Sequence, residues 1–238
     1  MLGFCVLAPL GDAMAKLLGE DLSVGFLVFV RFSVQFALLM PLVWLLKYPM
    51  PKGARLIRLT AIRTVLHICG IGLMFSSLQY LDLADAIAIA FVMPFIMLLL
   101  GKVHLNEHVG AHRLAACAVG FIGTLLVVQP NFVEVGLPAL LPLGVAVVFA
   151  LFMLVTRQIA KDVDPIGLQA LSGLMAAPMV GAALLVFPNV PLLAIHPIPN
   201  DAWILLAVLG CLGTVAHLLM TWSLRFAPSA TLAPMQYL

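Results

Sequence analysis

The amino-acid sequence predicts an all-α integral membrane protein that contains inverted five-helix repeats. Hydrophobic residues make up 64% of the 238 residues and charged residues only 9%, and the mean hydropathy is +1.18. In a soluble domain roughly a quarter of the residues are charged. The apolar runs are about twenty residues long, as a membrane-spanning helix requires, and they lack the alternation of a strand. These patterns favour a bundle of membrane-spanning helices.

The apolar runs predict eight complete transmembrane helices and the start of a ninth. Short connections with Pro and Gly separate the runs, so we expect one bundle without a separate soluble domain. The first run carries Asp12 and Lys16 and lacks a small-residue cleavage site, so it is interpreted as a span rather than a signal peptide. The predicted spans cover residues 2–18, 24–46, 59–80, 83–101, 110–128, 137–156, 165–187 and 202–224, and the last begins at residue 229.

The chain is organised around the fourth span, whose apolar stretch runs from Ala84 to Gly101 and contains one charge, Asp85. Pro94 lies near its middle, where a proline kinks a helix and frees a backbone carbonyl. Because lipid offers that carbonyl no hydrogen bond, we expect the kink to face protein or a hydrated cavity.

The basic residues predict the orientation in a bacterial-type inner membrane. Ten of the twelve Lys and Arg fall at one side of the predicted spans, and the opposite loops carry only acidic residues. Positive residues mark the cytoplasmic side, so the N-terminus is predicted to be cytoplasmic. The basic set is Lys47, Lys52, Arg55, Arg58, Arg63, Lys102, Arg113, Arg157, Lys161 and Arg225, and the acidic set is Glu20, Asp21, Asp82, Glu134 and Asp201.

An internal repeat relates the two halves. Residues 77–80, Ser-Leu-Gln-Tyr, return as Ser-Leu-Arg-Phe at 223–226. This match pairs spans that are five apart in order, and an odd offset inverts one copy in the membrane. The loop at 47–58 is basic whereas its counterpart at 188–200 has no Lys or Arg, as inversion requires. Inverted repeats are typical of secondary transporters, with the substrate site at the repeat interface near the midplane.

The fourth span and its exit, LADAIAIAFVMPFIMLLLGKVHLNEHVGAHRLAACAVGFIGTLLVVQP, resemble the EamA-type repeat of the drug/metabolite transporter superfamily. The matching features are the central Pro, the acidic turn residue Glu107, and a Gly-rich helix with Gly120 and Gly123 that ends in Pro130. The resemblance implies ten helices in two inverted halves. It assigns residues 1–130 to a first repeat and 137–238 to a second repeat with three helices and the start of a fourth. We therefore expect a fragment or a truncated member.

Arg31 is the most informative single residue. It lies about 10 Å inside the second span, where an unpaired Arg costs at least a few kcal/mol. Gln35, one turn later, extends the same polar face. The pattern favours a cavity-lining Arg for an anionic or carboxylate-bearing substrate. A structural ion pair with Asp12 or Asp85, or snorkelling to the surface, is the alternative.

Three further charges are predicted at the depth of Arg31. Asp12 and Lys16 are four residues apart on the first span and can pair, and Asp85 is at the same level. The group predicts a polar vestibule lined by spans one, two and four. Mutual neutralisation for stability is the alternative.

Two histidines lie on the small-residue faces of spans three and eight, which are expected to point inward. Each histidine could simply be hydrogen-bonded in the bundle, or could contact substrate or a coupled proton. The faces consist of Arg63, His67, Gly70 and Met74 on the third span and Ala207, Gly210, Gly213 and His217 on the eighth.

His104 to His108 match the zinc-peptidase pattern H-x-x-E-H, but the match lies in a predicted cytoplasmic turn and is interpreted as accidental. No metal or other cofactor is therefore predicted. No polybasic nucleic-acid face is recognisable, and the basic loop at 47–58 is expected to contact anionic lipid headgroups. The expected partners are a small-molecule substrate and the lipid bilayer, with a homodimer as an option.

Together these observations predict a transporter of a small organic metabolite that works by alternating access, in the direction of export. The alternatives are a riboflavin-like vitamin or nucleoside uptake carrier, a membrane-embedded metal hydrolase using the His104 motif, and a non-transporting scaffold. The kinks at Pro94 and Pro234 are predicted to let the halves rock. The predicted substrate-binding residues are Arg31, Gln35, Asp12, Asp85, His67 and His217.

Overall fold

A computed structural model describes residues 1–105, 109–128 and 136–237 of the chain, and within those ranges every regular element is a helix. The predicted fold class is confirmed. The α-helices are α1 (Leu2–Leu18), α2 (Val24–Leu46), α3 (Ala54–Ser77), α4 (Leu83–Ala90), α5 (Met93–Leu105), α6 (Ala111–Val128), α7 (Leu140–Ile159), α8 (Pro165–Val186), α9 (Ala202–Phe226) and α10 (Ser229–Leu232). Short 3₁₀ turns cover Leu137–Ala139, Pro191–Leu193 and Pro234–Tyr237.

The prediction of eight complete spans is too high. Six helices of the described ranges are long and apolar enough to cross a membrane. Helix α1 has only 17 residues, or about 25 Å at ~1.5 Å per residue, against a hydrocarbon core of about 30 Å. Helix α6, Ala111–Val128, ends at the border of a described range. The six helices are Val24–Leu46, Ala54–Ser77, Leu83–His104, Leu137–Ile159, Pro165–Val186 and Ala202–Phe226.

Side chains cap the start of two of the long helices. Ser23 accepts a hydrogen bond from Phe26 N at 3.3 Å at the beginning of α2. Asp164 Oδ1 accepts from the first free amides of α8, at 2.8 Å from Ile166 N. Such caps satisfy the amides that have no partner within the helix. Helix α3 begins at Ala54, earlier than predicted, so Arg55 and Arg58 belong to its first turns and not to a loop.

The fourth span breaks, as predicted, just before Pro94. Helix α4 ends at Ala90 and α5 begins at Met93. Phe95 N donates to Val92 O at 3.1 Å instead of to the carbonyl of Phe91, because Pro94 disrupts the regular ladder. Tyr237 Oη donates to that freed Phe91 carbonyl at 2.6 Å. The kink therefore faces protein, in the way that the apolar surroundings require.

The two halves of the chain interdigitate. The most extensive helix contacts are α2 with α8, α3 with α7 and α1 with α9, so each of these pairs joins the first half to the second. Glycine allows α8 to approach α2 closely at Gly173, where an added Cβ would lie 3.1 Å from the backbone nitrogen of Phe36. Polar residues carried by these helices consequently meet along the interface between the halves.

Candidate functional site

Arg31 of α2 lies inside the bundle, with 3% of its surface exposed, and contacts α9. Its Nη2 donates to Gly213 O at 3.2 Å and lies 2.8 Å from His217 Nδ1. Because a guanidinium can only donate, the contact with Arg31 is a hydrogen bond in the tautomer whose Nδ1 accepts and whose Nε2 carries the hydrogen. The same Nδ1 lies 3.0 Å from Gly213 O, which would accept from the other tautomer. In the described ranges no carboxylate lies within 4.0 Å of Arg31, so the alternative of a direct ion pair with Asp12 or Asp85 is wrong.

Gln35 extends the polar face of α2 toward α8, as the sequence predicts. Its Nε2 donates to Gln169 O at 2.8 Å and lies 3.4 Å from Gln169 Oε1. Gln169 Nε2 in turn reaches Thr221 Oγ1 of α9 at 3.4 Å. The side-chain amides of Gln35 and Gln169 and the hydroxyl of Thr221 thus connect α2, α8 and α9 across the interface between the two halves.

Arg63 is a second buried arginine that the sequence analysis assigned to the cytoplasmic charges. It is fully buried on α3, with Nε donating to Thr156 Oγ1 at 2.9 Å and Nη1 to Ser172 Oγ at 2.7 Å. Its guanidinium carbon lies 4.6 Å from the centre of the Phe152 ring, as in a cation–π contact. Its placement one helical turn before His67 was the available clue, since both share the inward face of α3.

The two predicted histidines are brought together. The ring centres of His67 and His217 are 4.3 Å apart, and Phe152 stacks on His67 at 4.5 Å. Within the described residues, neither ring nitrogen of His67 has a hydrogen-bond partner, although the side chain is fully buried. The histidine pair thus lies between Arg31, which contacts His217, and the Phe152 ring, which Arg63 also contacts.

A cavity of about 150 Å³ adjoins His217. Its polar side chains are Asp12, His217 and Gln236, and its walls include aromatic rings. Gln236 Nε2 contacts only the soft sulfur Sδ of Met153, at 3.6 Å, and that of Met97, while its Oε1 lacks a partner among the described residues. Sequence reasoning missed Gln236, which lies beyond the last complete predicted span. The aromatic rings are those of Phe4, Phe91 and Phe149.

A vestibule of about 580 Å³ lies at the end of the bundle where α1 ends and α4 begins. It is lined by α1, α3, α4 and their turns, so the prediction that α2 lines it is wrong. Asp85 lines this vestibule and is thus separated from Arg31. Lys16 Nζ contacts Asp82 Oδ1 at 2.8 Å and Leu81 O at 2.9 Å, so the predicted pairing of Lys16 with Asp12 is also wrong. The turn at 78–82 folds back over the end of α1, which puts these acceptors nearer to the ammonium.

The hydrogen bond from Lys16, together with its positive charge, lowers the pKa of Asp82 below the ordinary 3.8. Asp82 therefore stays ionised at neutral pH. Asp12 lies one turn deeper on α1 than Ala15, which lines the vestibule, so the vestibule and the cavity follow one another along the same helix.

The opposite end of the bundle is packed with apolar side chains. One cluster joins α2 to α8, and a second joins the end of α7 to the start of α8 and to α3. Arg55 and Asp162 form an ion pair of 3.5 Å at this end. The buried members of the two clusters are Leu39, Val43, Ile166 and Ala170 in the first, and Ile159, Val163 and Leu168 in the second.

The H-x-x-E-H match cannot be placed in full, since residues 106–108 lie outside the described part of the chain. His104 is in the last turn of α5. Among the residues that the structure describes, no three His, Cys, Asp or Glu side chains are grouped as metal ligands.

The chain matches a known protein family over nearly its whole length. The EamA-like transporter family matches residues 1–129 and 136–238. The chain belongs to the EamA-like transporter family. Relatives of this EamA-like chain include a riboflavin transporter of Brucella anthropi, 24% identical over 213 residues, which are 87% of this chain and 72% of that protein. Riboflavin transporters of Rhizobium johnstonii and Vibrio cholerae are 28% and 25% identical, over 72% and 74% of this chain.

The chain matches only part of the length of two of these relatives, and it shares the fold of a solved structure. The chain spans only 55% and 57% of the length of the Rhizobium and Vibrio proteins. A solved crystal structure superposes on this EamA-like chain with a TM-score of 0.72 at 16% identity, over 99% of this chain and 82% of that one. This likeness shows a shared fold.

Proposed function

We propose that the chain forms the substrate path of a secondary transporter, which moves a small organic molecule across the inner membrane by alternating access. The observation that carries the proposal is the cavity beside His217, which lies between an open vestibule and an apolar closed end. A path that is open at one end and closed at the other is what one state of an alternating-access carrier requires. Substrate would reach the cavity from the vestibule and leave after the apolar clusters separate.

Six side chains are proposed to line the route. Asp85 belongs to the vestibule, and Asp12 and His217 line the cavity. His217 belongs also to the polar interface of the halves, where the other three members lie. The basic residues support an orientation with the N-terminus in the cytoplasm and the vestibule outside. The interface members are Arg31, Gln35, His67 and His217.

The broken segments around Pro94 and Pro234 are the proposed hinges. Their backbone hydrogen bonds are already interrupted, so a change of angle there disrupts fewer bonds than bending a regular helix. We propose that the first half rocks against the second about these points.

The cavity supports a substrate with a planar ring. Phe4 stacks on Phe149 at 5.9 Å and meets His217 edge-on at 5.4 Å, which provides aromatic walls. His217 Nε2 and Gln236 Oε1 supply unpaired polar atoms at the same cavity. A donor and an acceptor between aromatic walls suit a heteroaromatic ring with polar edges.

Export is the proposed direction, and uptake of riboflavin or a related vitamin is the second candidate. The names of three relatives favour a flavin as substrate, and the aromatic walls of the cavity suit stacking on part of a planar flavin ring. The decisive experiment measures flavin fluorescence in right-side-out and inside-out vesicles that carry the full-length protein. Accumulation in inside-out vesicles alone supports export, and in right-side-out vesicles alone supports uptake.

The same assay tests the site through His217→Ala, with His196→Ala as the matched control. His217 lines the cavity, whereas His196 is exposed in the loop before α9. Transport should fall at least about tenfold for His217→Ala and stay within about twofold for His196→Ala. Equal transport by both variants would remove the cavity from the route.

A further inference from the structure

We propose that Arg31, Arg63 and His67 form a binding site for one small anionic group in the interior of the bundle, next to the aromatic cavity. The inference rests on the proposed function for its role in transport, because the anionic group either belongs to the substrate or accompanies it. It adds Arg63, which was not among the predicted substrate-binding residues, and it names the charge of the ligand.

The first step is the charge balance. Arg31 is 3% exposed and Arg63 is fully buried, and in the described ranges neither has a carboxylate within 4.0 Å. Asp12 lines the neighbouring cavity, and in the described ranges it forms no ion pair with either guanidinium. An uncompensated charge in a membrane interior is costly, and two that repel are more so. A bound anion would offset both.

The second step is the supply of free donors. Within the described residues, Arg31 Nη1, Arg63 Nη2 and both ring nitrogens of His67 are buried without a hydrogen-bond partner. Nitrogen donors dominate this set, and buried donors are rarely left unpaired. Oxygens of an oxyanion are the acceptors that two guanidinium groups bind best.

The third step is that both guanidinium groups are held in place by neutral atoms. Thr156 Oγ1 donates its own hydrogen to Phe152 O at 2.7 Å, so its lone pairs accept from Arg63 Nε. Ser172 Oγ accepts a hydrogen bond from Arg63 Nη1, and Gly213 O accepts one from Arg31 Nη2. These contacts orient the groups without neutralising them. The remaining donors are thus fixed before a ligand arrives, which lowers the entropy lost on binding.

The fourth step connects the anion site to the cavity. His217 lines the cavity, contacts Arg31 and is in ring contact with His67. His67 lies one helical turn after Arg63 on α3, and both contact the Phe152 ring. A ligand with a planar ring in the cavity could therefore extend an oxyanion past His217 to the arginines. A free inorganic anion at the arginines, beside a neutral ring in the cavity, satisfies the same chemistry.

The experiment measures thermal unfolding of the purified full-length protein in nanodiscs as formate, chloride or phosphate replaces gluconate at constant ionic strength. We expect a rise of the unfolding midpoint that saturates with anion concentration. Arg31→Gln and Arg63→Gln should each remove the saturable rise. Arg58→Gln, on the exposed face of α3, is the matched control and should retain it. The proposal is overturned if the unfolding midpoint of the wild-type protein does not depend on the anion. It is also overturned if the wild type and all three variants show the same dependence.

Flavins separate the two sources of the anion. Riboflavin is neutral, and flavin mononucleotide is the same molecule with a phosphate on the terminal hydroxyl of its ribityl chain. If the substrate carries the anion, the mononucleotide should bind about tenfold more tightly than riboflavin, and both arginine variants should lose that difference. If the anion is free, riboflavin should bind more tightly when phosphate or formate is present. Failure of every flavin to bind, with the anion-dependent rise intact, rejects the flavin candidate and leaves the anion site standing.

Discussion

Phe91 and Tyr237 are 146 residues apart, the separation that relates Ser77 to Ser223 in the repeat, and the two residues contact one another. Their rings are 5.2 Å apart, and Tyr237 Oη donates to Phe91 O at 2.6 Å. An added Cβ on Gly120 would lie 2.6 Å from the Tyr237 ring, so this glycine makes room for it. Equivalent residues that meet in this way lie near the axis that relates the repeats.

Tyr237→Phe should destabilise the protein by about 1–3 kcal/mol, because the Phe91 carbonyl would lose its hydrogen bond inside the bundle. Reversible unfolding in bicelles, followed by circular dichroism, measures the change. Tyr80→Phe is the control, since Tyr80 is exposed in the turn after α3. If both variants unfold alike, the hydrogen bond from Tyr237 does not stabilise the break.

Gly213→Ala should displace the guanidinium of Arg31, because the added Cβ would lie 2.6 Å from Arg31 Nε. Flavin transport should then fall at least about tenfold while the helix content stays unchanged. Gly72→Ala is the control, since an added Cβ at Gly72 meets nothing within 4 Å. Normal transport by Gly213→Ala would show that Arg31 need not occupy its observed position.

Arg31→Ala should leave the protein folded and abolish transport, because Arg31 has no carboxylate contact to lose among the described residues and is proposed to hold substrate. The double variant Arg31→Ala with Asp12→Asn should not recover, and Arg31→Lys should also fail, since Lys cannot present two parallel donors. Transport and thermal unfolding of the three variants are measured side by side. Normal transport by the double variant would instead identify Arg31 and Asp12 as a structural charge pair.

Asp82→Asn should loosen the contact between α1 and the turn before α4, because it removes the ion pair with Lys16. The lowered pKa of Asp82 means that the pair is fully present above the ordinary value of 3.8 and is lost as pH falls through the lower folded value. Solvent accessibility of a cysteine at position 85 should therefore rise in Asp82→Asn and not change around neutral pH. The exposed Asp21→Asn serves as the comparison, and an equal rise there would make the effect unspecific.

The positive-inside pattern predicts that residues 47–58, 157–164 and 225–228 are cytoplasmic and that 19–23, 130–136 and 188–201 are external. In a background without Cys5, Cys69, Cys117 and Cys211, an impermeant thiol reagent on intact cells should label Ile195→Cys and spare Lys52→Cys. Labelling in the reverse pattern would invert the proposed orientation and place the vestibule in the cytoplasm.

Composition and spacing predicted the helices because membrane spans are long, apolar and separated by turn residues, and α2 and α8 were placed within a residue of their bounds. Arg31 could be recognised because an Arg between apolar residues far from a loop is conspicuous. Arg63 was counted with the cytoplasmic charges and also placed on the inward face of the third span with His67, so the sequence did not decide between exposure and burial. Its burial follows from the start of α3 at Ala54, which puts Arg63 nine residues into the helix.

The contacts between charged side chains were harder to predict than the burial of a side chain. The i, i+4 spacing of Asp12 and Lys16 permits a contact, but the path of the turn at 78–82 puts Asp82 closer to the ammonium. A local spacing rule contains no information about a turn that is more than sixty residues away in the chain. Gln236, Phe4 and Phe149 are also far apart in the chain, so local spacing could not assign them to one cavity.

The interdigitation of the halves has a consequence for biosynthesis. The groups that orient Arg31 and Arg63 all belong to the second half, namely Thr156, Ser172, Gly213 and His217. A chain leaves the ribosome from its N-terminus, so α2 and α3 reach the translocon before these partners are synthesised. Until then the two guanidinium groups have to stay hydrated or near the headgroups, with their helices tilted or shifted in the bilayer. We therefore expect α2 and α3 to reach their final depth in the bilayer only after α7, α8 and α9 have been synthesised and inserted.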